Sequence, residues 1–290
     1  MKRYAVGALL LALAATPFAR GNADVGTDNV IAGPYHLSGE GVVIEGISPG
    51  FRIRTPGSNI LVCEHGTDVA ALYGVPLYPN NMTGLKIAYS INAGAVWSRY
   101  GPFGAGQSMQ CAMDGPPNFC QTGGLAFIWS DGSSLNVMLE ENTPSAPSFS
   151  VPLVLPNSQS PVMYPRNPDI AMAPDDITNF VATAWSVFGN QWVYCWVSND
   201  GGYTWTDTIP MAFIASDGAS GCLSRGTDDH VLYAYLDYYT FAATDSVIYP
   251  YYIESTDGGY TWGPETPVPD VPINANSMFW WSEFDCLVIN

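Results

Sequence analysis

Several groups of residues in this 290-residue chain are of types that do chemistry. Glu64, His65 and Asp68 stand close together, as do Asp228, Asp229 and His230, and either set could ligate a hard cation such as Ca2+. Acids gathered in a loop more often serve only to solvate it. A Ser–His–Asp triad would have His36, His65 and His230 to draw on. Trp129, Trp185, Trp280 and Trp281 offer apolar faces on which sugar rings stack, although core packing is the commoner fate of such residues. Six cysteines suggest disulfides in an oxidising compartment, with Cys111 and Cys120 the nearest pair. No Cys-x-x-Cys spacing supports a thiolate metal site.

The most visible acids belong to a repeat. Ser198-Asn199-Asp200-Gly201-Gly202-Tyr203-Thr204-Trp205 returns as Ser255-Thr256-Asp257-Gly258-Gly259-Tyr260-Thr261-Trp262. A worn copy, Ser90-Ile91-Asn92-Ala93-Gly94-Ala95-Val96-Trp97, precedes both. In such an octet the carboxylate accepts backbone N–H bonds across a tight turn, glycine supplies angles other residues avoid, and the tryptophan folds back as an apolar plug. Asn92, Asp200 and Asp257, with Trp97, Trp205 and Trp262, are therefore read as structural.

The spacing defines the elements that must carry everything else. Trp97 and Trp205 are 108 residues apart and Trp205 and Trp262 are 57 apart, so one copy is missing. Phe149, ending a degenerate stretch that begins at Glu140, fills the gap and gives intervals of 52, 56 and 57. Short β-rich segments at that period predict an all-β propeller of four-stranded antiparallel blades. The first unit is expected to use Phe51–Ile53, Ile60–Glu64 and Leu85–Ser90 as its first three strands. Strands at 31–37 and 41–46 complement strands at 277–281 and 286–289, which predicts a fifth blade closing the ring. Closure would remove exposed strand edges. A six-blade ring lacking its last unit is the alternative.

Composition bounds the setting. Lys2 and Arg3 precede an apolar run over Tyr4–Ala15 that is too short to span a bilayer, followed by Gly21-Asn22-Ala23. This reads as a bacterial export signal over residues 1–23, with one domain over 24–290 and a secreted or periplasmic address. Losing Lys2, Arg3 and Arg20 moves the formal charge from −17 to −20. Such a chain repels polyanions, so nucleic acid is not an expected partner. The acidic balance leaves room for a cation, but none of these readings requires a cofactor.

The octet is the Asp-box pattern, and the chain resembles the sialidases and related Asp-box (BNR-repeat) propellers. Phe51-Arg52-Ile53-Arg54, then the apolar stretch to Glu64, then Asp68, is similar to the start of a sialidase. The resemblance implies that Arg52 binds a substrate carboxylate, with Glu64 nearby, and that Asp68 is the acid/base. Arg166 in Tyr164-Pro165-Arg166-Asn167 and Arg225 would supply further guanidinium groups, and Tyr238 or Tyr239 the nucleophile. Arg54 stands where the family has proline, His65-Gly66 replaces Gly-Arg, and no glutamate partner for the tyrosine can be assigned. In these propellers the boxes occupy one face and ligands meet the other.

The expected function is glycan or glycoconjugate binding by an exported propeller that lacks a complete sialidase site. An active glycoside hydrolase using Arg52 and Asp68 is the alternative, and a protein-binding scaffold in the cell envelope is a third reading. Fold alone does not choose among them.

Overall fold

The computed structural model describes residues 60–63, 68–77, 82–106, 109–158, 162–188, 192–213, 221–242 and 245–269. The export signal, Arg52, Glu64 and both sets of ring-closing strands lie outside them.

Within the described residues the chain is β throughout, apart from one short helix. The first sheet holds β1 (Ile60–Val62), β2 (Val69–Leu77), β3 (Met82–Ser90) and β4 (Ser98–Tyr100), with β5 (Ala105–Gly106) pairing further along β3. The second holds β6 (Gln110–Asp114), β7 (Leu125–Ser130), β8 (Leu135–Glu140) and β9 (Leu153–Val154), with α1 (Phe119–Thr122) between its first two strands. The third is β10 (Met163–Ala173), β11 (Asp176–Phe188), β12 (Trp192–Ser198) and β13 (Ile209–Phe213). The fourth is β14 (Gly221–Arg225), β15 (Val231–Ala242), β16 (Asp245–Ser255) and β17 (Thr266–Pro267). Each sheet is an antiparallel meander in sequence order.

The apolar pattern explains how the sheets stack. Every residue of Leu125-Ala-Phe-Ile-Trp-Ser130 and of Leu135-Asn-Val-Met-Leu-Glu140 is buried. A strand covered on both faces reads as a continuous run, where a one-sided strand would alternate. Three cores fill the spaces between consecutive sheets. Leu72, Ile87, Met113 and Phe127 lie between the first and second. Ile128, Val137, Phe180 and Trp196 lie between the second and third, and Val181, Val197, Tyr233 and Ile253 between the third and fourth. The first strands β6, β10 and β14 run side by side. Two carboxylates, the half-buried Asp114 and the buried Asp169, clip these inner strands together. Asp114 Oδ2 accepts the Met172 N–H at 2.7 Å, and Asp169 Oδ2 accepts the Leu223 N–H at 2.8 Å. Four-stranded sheets stacked face to face around their first strands are the blades of a β-propeller.

The repeated turns close the outer hairpins as their residues dictate. In the first, third and fourth blades a glycine N–H (Gly94, Gly202 or Gly259) donates to the serine Oγ at 2.8–2.9 Å. Asn92, Asp200 and Asp257 each accept the backbone N–H four residues on at 2.8 Å. Thr204 and Thr261 add hydroxyl bonds of 2.6 Å to their aspartates, a bond that Val96 cannot make in the worn copy. Burial opposes ionisation of Asp200 and Asp257, but these donors hold both carboxyls below the usual range. Trp205 and Trp262 return their indole N–H to Gly202 and Gly259. Each plug packs toward the preceding blade, Trp205 in the core shared with Leu139 and Trp262 against that of Val181 and Val197. Phe149 takes the same place in blade two. It bridges to Glu140 and packs on Phe103 (4.6 Å between centroids), Tyr100 and Phe127.

Two expectations change. The first strand of blade one is Ile60–Val62, and its second is Val69–Leu77, which pairs with β3 along its whole length from Val69↔Ser90 to Leu77↔Met82. The sequence reading left that segment between its second and third strands, yet Gly74 and Pro76 both lie within the pairing. The disulfide also joins a different pair. Cys63, after β1, bonds Cys120 in α1, with their Cα atoms 6.0 Å apart. It ties blade one to blade two. Cys111 is a free thiol inside the sheet, where burial pushes it up to about 12.

Candidate functional site

The blade topology gives the propeller two distinct ends. One end carries the repeated turns and the connections from each first strand to the second. The other carries the hairpins between second and third strands and the entry to each inner strand.

Asp68 belongs to the repeated-turn end. It closes the β1–β2 connection, where its carbonyl accepts the Cys63 N–H at 2.9 Å, and the next residue, Val69, pairs with Ser90 at the start of the worn octet. Arg225 is at the same end. It finishes β14, its side chain is 2% exposed, and Nη2 lies 3.5 Å from the exposed Asp229 carboxylate. Burial lowers the pKa of this guanidinium, while Asp229, Asp176 and Asp175 pull it upward. Gly258 of the fourth repeat sits against it, with a Cβ there meeting Nη2 at 3.4 Å. Arg225 therefore braces a turn beneath the fourth blade. His230 contacts Glu254 at 3.5 Å, so the Asp228–His230 stretch points its groups at different partners. Among the described residues no three His, Cys, Asp or Glu side chains gather as metal ligands would.

Arg166 lies at the opposite end, near the entry of β10. The register sets it directly across from Trp185 on β11, so the two side chains share a face of the sheet. Trp185 and Trp129 are both 2% exposed. Neither can stack on a ligand. Trp129 packs under Gly104, where a Cβ would meet its Nε1 at 2.7 Å. Trp185 is buried beside Arg166 in the register, and its indole N–H has no hydrogen-bond partner among the described residues.

The segment around Arg166 is built with local strain. Tyr164 and Asn167 have φ of +52° and +48°, and each precedes a proline, a position that normally holds extended backbone. A β-bulge between Arg166 and Asp169 accompanies them. Residues of blade two hold this shape. Gln110, 6% exposed, accepts the Asn167 N–H at 2.7 Å and donates from Nε2 to the Asn167 side chain at 3.2 Å. Ser130 Oγ donates to the Pro165 carbonyl at 2.5 Å. The result is a fixed ledge presenting Tyr164, 52% exposed, and the half-buried Arg166. Non-glycine residues in this φ region each cost roughly 1–3 kcal/mol and persist where neighbours over-determine them, a condition typical of ligand sites.

Tyr238 and Tyr239 are also at this end. The β15–β16 hairpin reaches this end, where its pairing runs on to Ala242↔Asp245. Tyr238 stands opposite Ile248 and Tyr239 opposite Val247. The sequence placed these tyrosines in a loop, but their backbone is strand, within the paired hairpin. Their side chains fall outside the described residues. Of the candidate residues, then, Arg166 with Trp185 and the Tyr238–Tyr239 ribbon share one end, and Asp68 with Arg225 the other. Tyr164, Asn167 and Gln110 were not anticipated. The one available signal was the doubled proline in Tyr164-Pro165-Arg166-Asn167-Pro168.

No family model matches the chain, and neither does any curated protein. Solved structures resemble it at low identity. An α-L-arabinanase of Penicillium chrysogenum complexed with arabinobiose is 13% identical, with 79% of this chain and 80% of that one covered and a TM-score of 0.45. An α-L-arabinofuranosidase of Fusarium graminearum with an iminosugar inhibitor is 14% identical, with 74% and 67% covered and a TM-score of 0.47. An ulvan lyase, a polysaccharide lyase, is 12% identical, with 76% and 57% covered and a TM-score of 0.47. Among the described residues no helix is long and apolar enough to cross a membrane.

Proposed function

We propose that this chain is an exported, sialidase-like propeller that binds glycans or glycoconjugates at the end opposite its repeated turns, and that it has no complete hydrolytic site. The observation carrying this reading is the strained Tyr164–Asn167 ledge, clamped by Gln110 and Ser130. An exposed phenol ring offers an apolar face to sugar C–H groups, and a guanidinium donates in a fixed fork to hydroxyls or a carboxylate. Holding both on a rigid ledge lowers the ordering cost of binding. Hydrolysis asks for more. A glycosidase needs a pair of carboxylates, or a tyrosine with its activating acid, flanking one bond. Asp68 is at the far end from Arg166 and cannot serve that ledge.

A glycan array probed with the mature protein, run beside a fluorogenic sialoside, tests the reading. Binding of at least one glycan class without turnover is expected. Turnover at enzymatic rates would replace it with the hydrolase reading, and an array without binding would remove it.

A further inference from the structure

Blade two closes its outer hairpin with a different residue. Where the third strand of blades one, three and four ends on Ser90, Ser198 and Ser255, β8 ends on Glu140. Glu140 is fully buried. Its Oε1 accepts the N–H of Asn142 at 2.9 Å and of Ser148 at 3.4 Å, so one carboxyl oxygen grips both sides of the turn's neck. Its Oε2 is buried with no hydrogen-bond partner among the described residues, and so is the phenol oxygen of Tyr89 from blade one.

Among the described residues, the titratable groups facing Glu140 are Glu141 on the turn and Tyr89 on β3, with Tyr100 on β4 beside Tyr89. All are acids or phenols. On the α1 side Cys120 is held in the disulfide and does not titrate. Burial pushes the Glu140 carboxyl up to about 7 against the pull of its two N–H donors, and Glu141 adds to the rise. Burial also raises the Tyr89 phenol, helped by Glu140.

The turn that Glu140 closes is anchored to both neighbouring blades. Phe149 at its end inserts into the Tyr100–Phe103–Phe127 ring cluster. Glu141 at its start accepts the Tyr203 hydroxyl of blade three at 2.7 Å. An ionised Oε2 without a donor is costly in a dry interface, and admitting water to it requires the turn to lift.

We propose that Glu140 is a proton-held latch: protonated, it keeps turn 141–149 closed over the junction of blades one and two, and releasing its proton to solvent opens the turn. Because the closed-state pKa lies above the ordinary value of 4.5, closure is complete below that value and is lost as pH rises through about 7. An exported protein meets such a range directly.

Hydrogen exchange followed by mass spectrometry tests this on the full chain. Protection of a peptide spanning 141–149, relative to the intrinsic rate at each pH, is compared between pH 5.5 and 8.5. The serine-closed turn 256–262 of blade four is the internal control. The shift predicts a loss of roughly thirtyfold in blade two and none in the control. Glu140→Gln, which cannot ionise, should flatten the profile. Should that variant fail to fold, Glu140→Ser restores the residue the other turns carry and should flatten it equally. A parent profile flat over this range, or a pH dependence that survives in the folded variant, would overturn the latch.

Discussion

Replacing Cys63 and Cys120 by serine should cost the protein about 4 kcal/mol. The two residues are 57 apart in sequence, so their bond closes a loop of about 58 residues in the denatured chain. The chain-entropy relation gives a loss of about 14 cal/mol/K for a loop of that size, or about 4 kcal/mol at 25 °C. For a domain of this length each kcal/mol moves Tm by about 2–4 °C, so the double variant should melt roughly 8–16 °C below the oxidised parent. Scanning calorimetry with and without reductant measures it, and the reduced parent should melt with the double variant. Cys111→Ser is the control, since Cys111 is a free buried thiol: it should leave Cys120 unreactive to thiol reagents. A double variant that melts with the oxidised parent, or a Cys120 thiol that appears in Cys111→Ser, would show that the blades are not joined as described.

Asp257→Ala should lower stability by about 0.5–1.5 kcal/mol, because it removes the turn bonds that the carboxylate accepts from the Thr261 N–H and hydroxyl, and should leave ligand affinity unchanged. Chemical denaturation paired with a binding isotherm checks both halves. Asp114 reports on the inner strands, since burial pushes its carboxyl up to about 6 despite the N–H bonds from Met172 and Gly115. Its folded value lies above its ordinary one, so stability is fullest below about pH 4 and falls as pH rises through 6. Asp114→Asn should show a shallower fall of Tm over that range, and parallel pH profiles for parent and variant would rule out the assignment.

Much of the architecture could be read from residue types because the blade turns are local. The Ser-x-Asp-x-Gly-x-Thr-Trp octets fix their own hydrogen bonds within eight residues, and Phe149 was recoverable from the period alone. The buried runs of β7 and β8 are continuous because blades cover both faces, and that too is a local signature. Blade one differs at Val69–Leu77, where pairing with β3 outweighs the weak strand propensities of Gly74 and Pro76. That difference also moves Asp68 to the other end. The Cys63–Cys120 bond was hidden because adjacency in a propeller joins blades, whereas nearness in sequence favoured Cys111. The Arg166 ledge depends on Gln110, 57 residues before Asn167, and on left-handed backbone before two prolines, which residue preferences argue against.

Titration calorimetry of the best glycan from the array, across single variants, tests the central claim most directly. Arg166→Ala should weaken binding by about 1.5–3 kcal/mol, the cost of a lost charge-assisted bond, while Asp68→Asn at the far end keeps the parent affinity. Unchanged affinity in Arg166→Ala, together with a loss in Asp68→Asn, would contradict the account and put the binding surface at the end that carries the repeated turns.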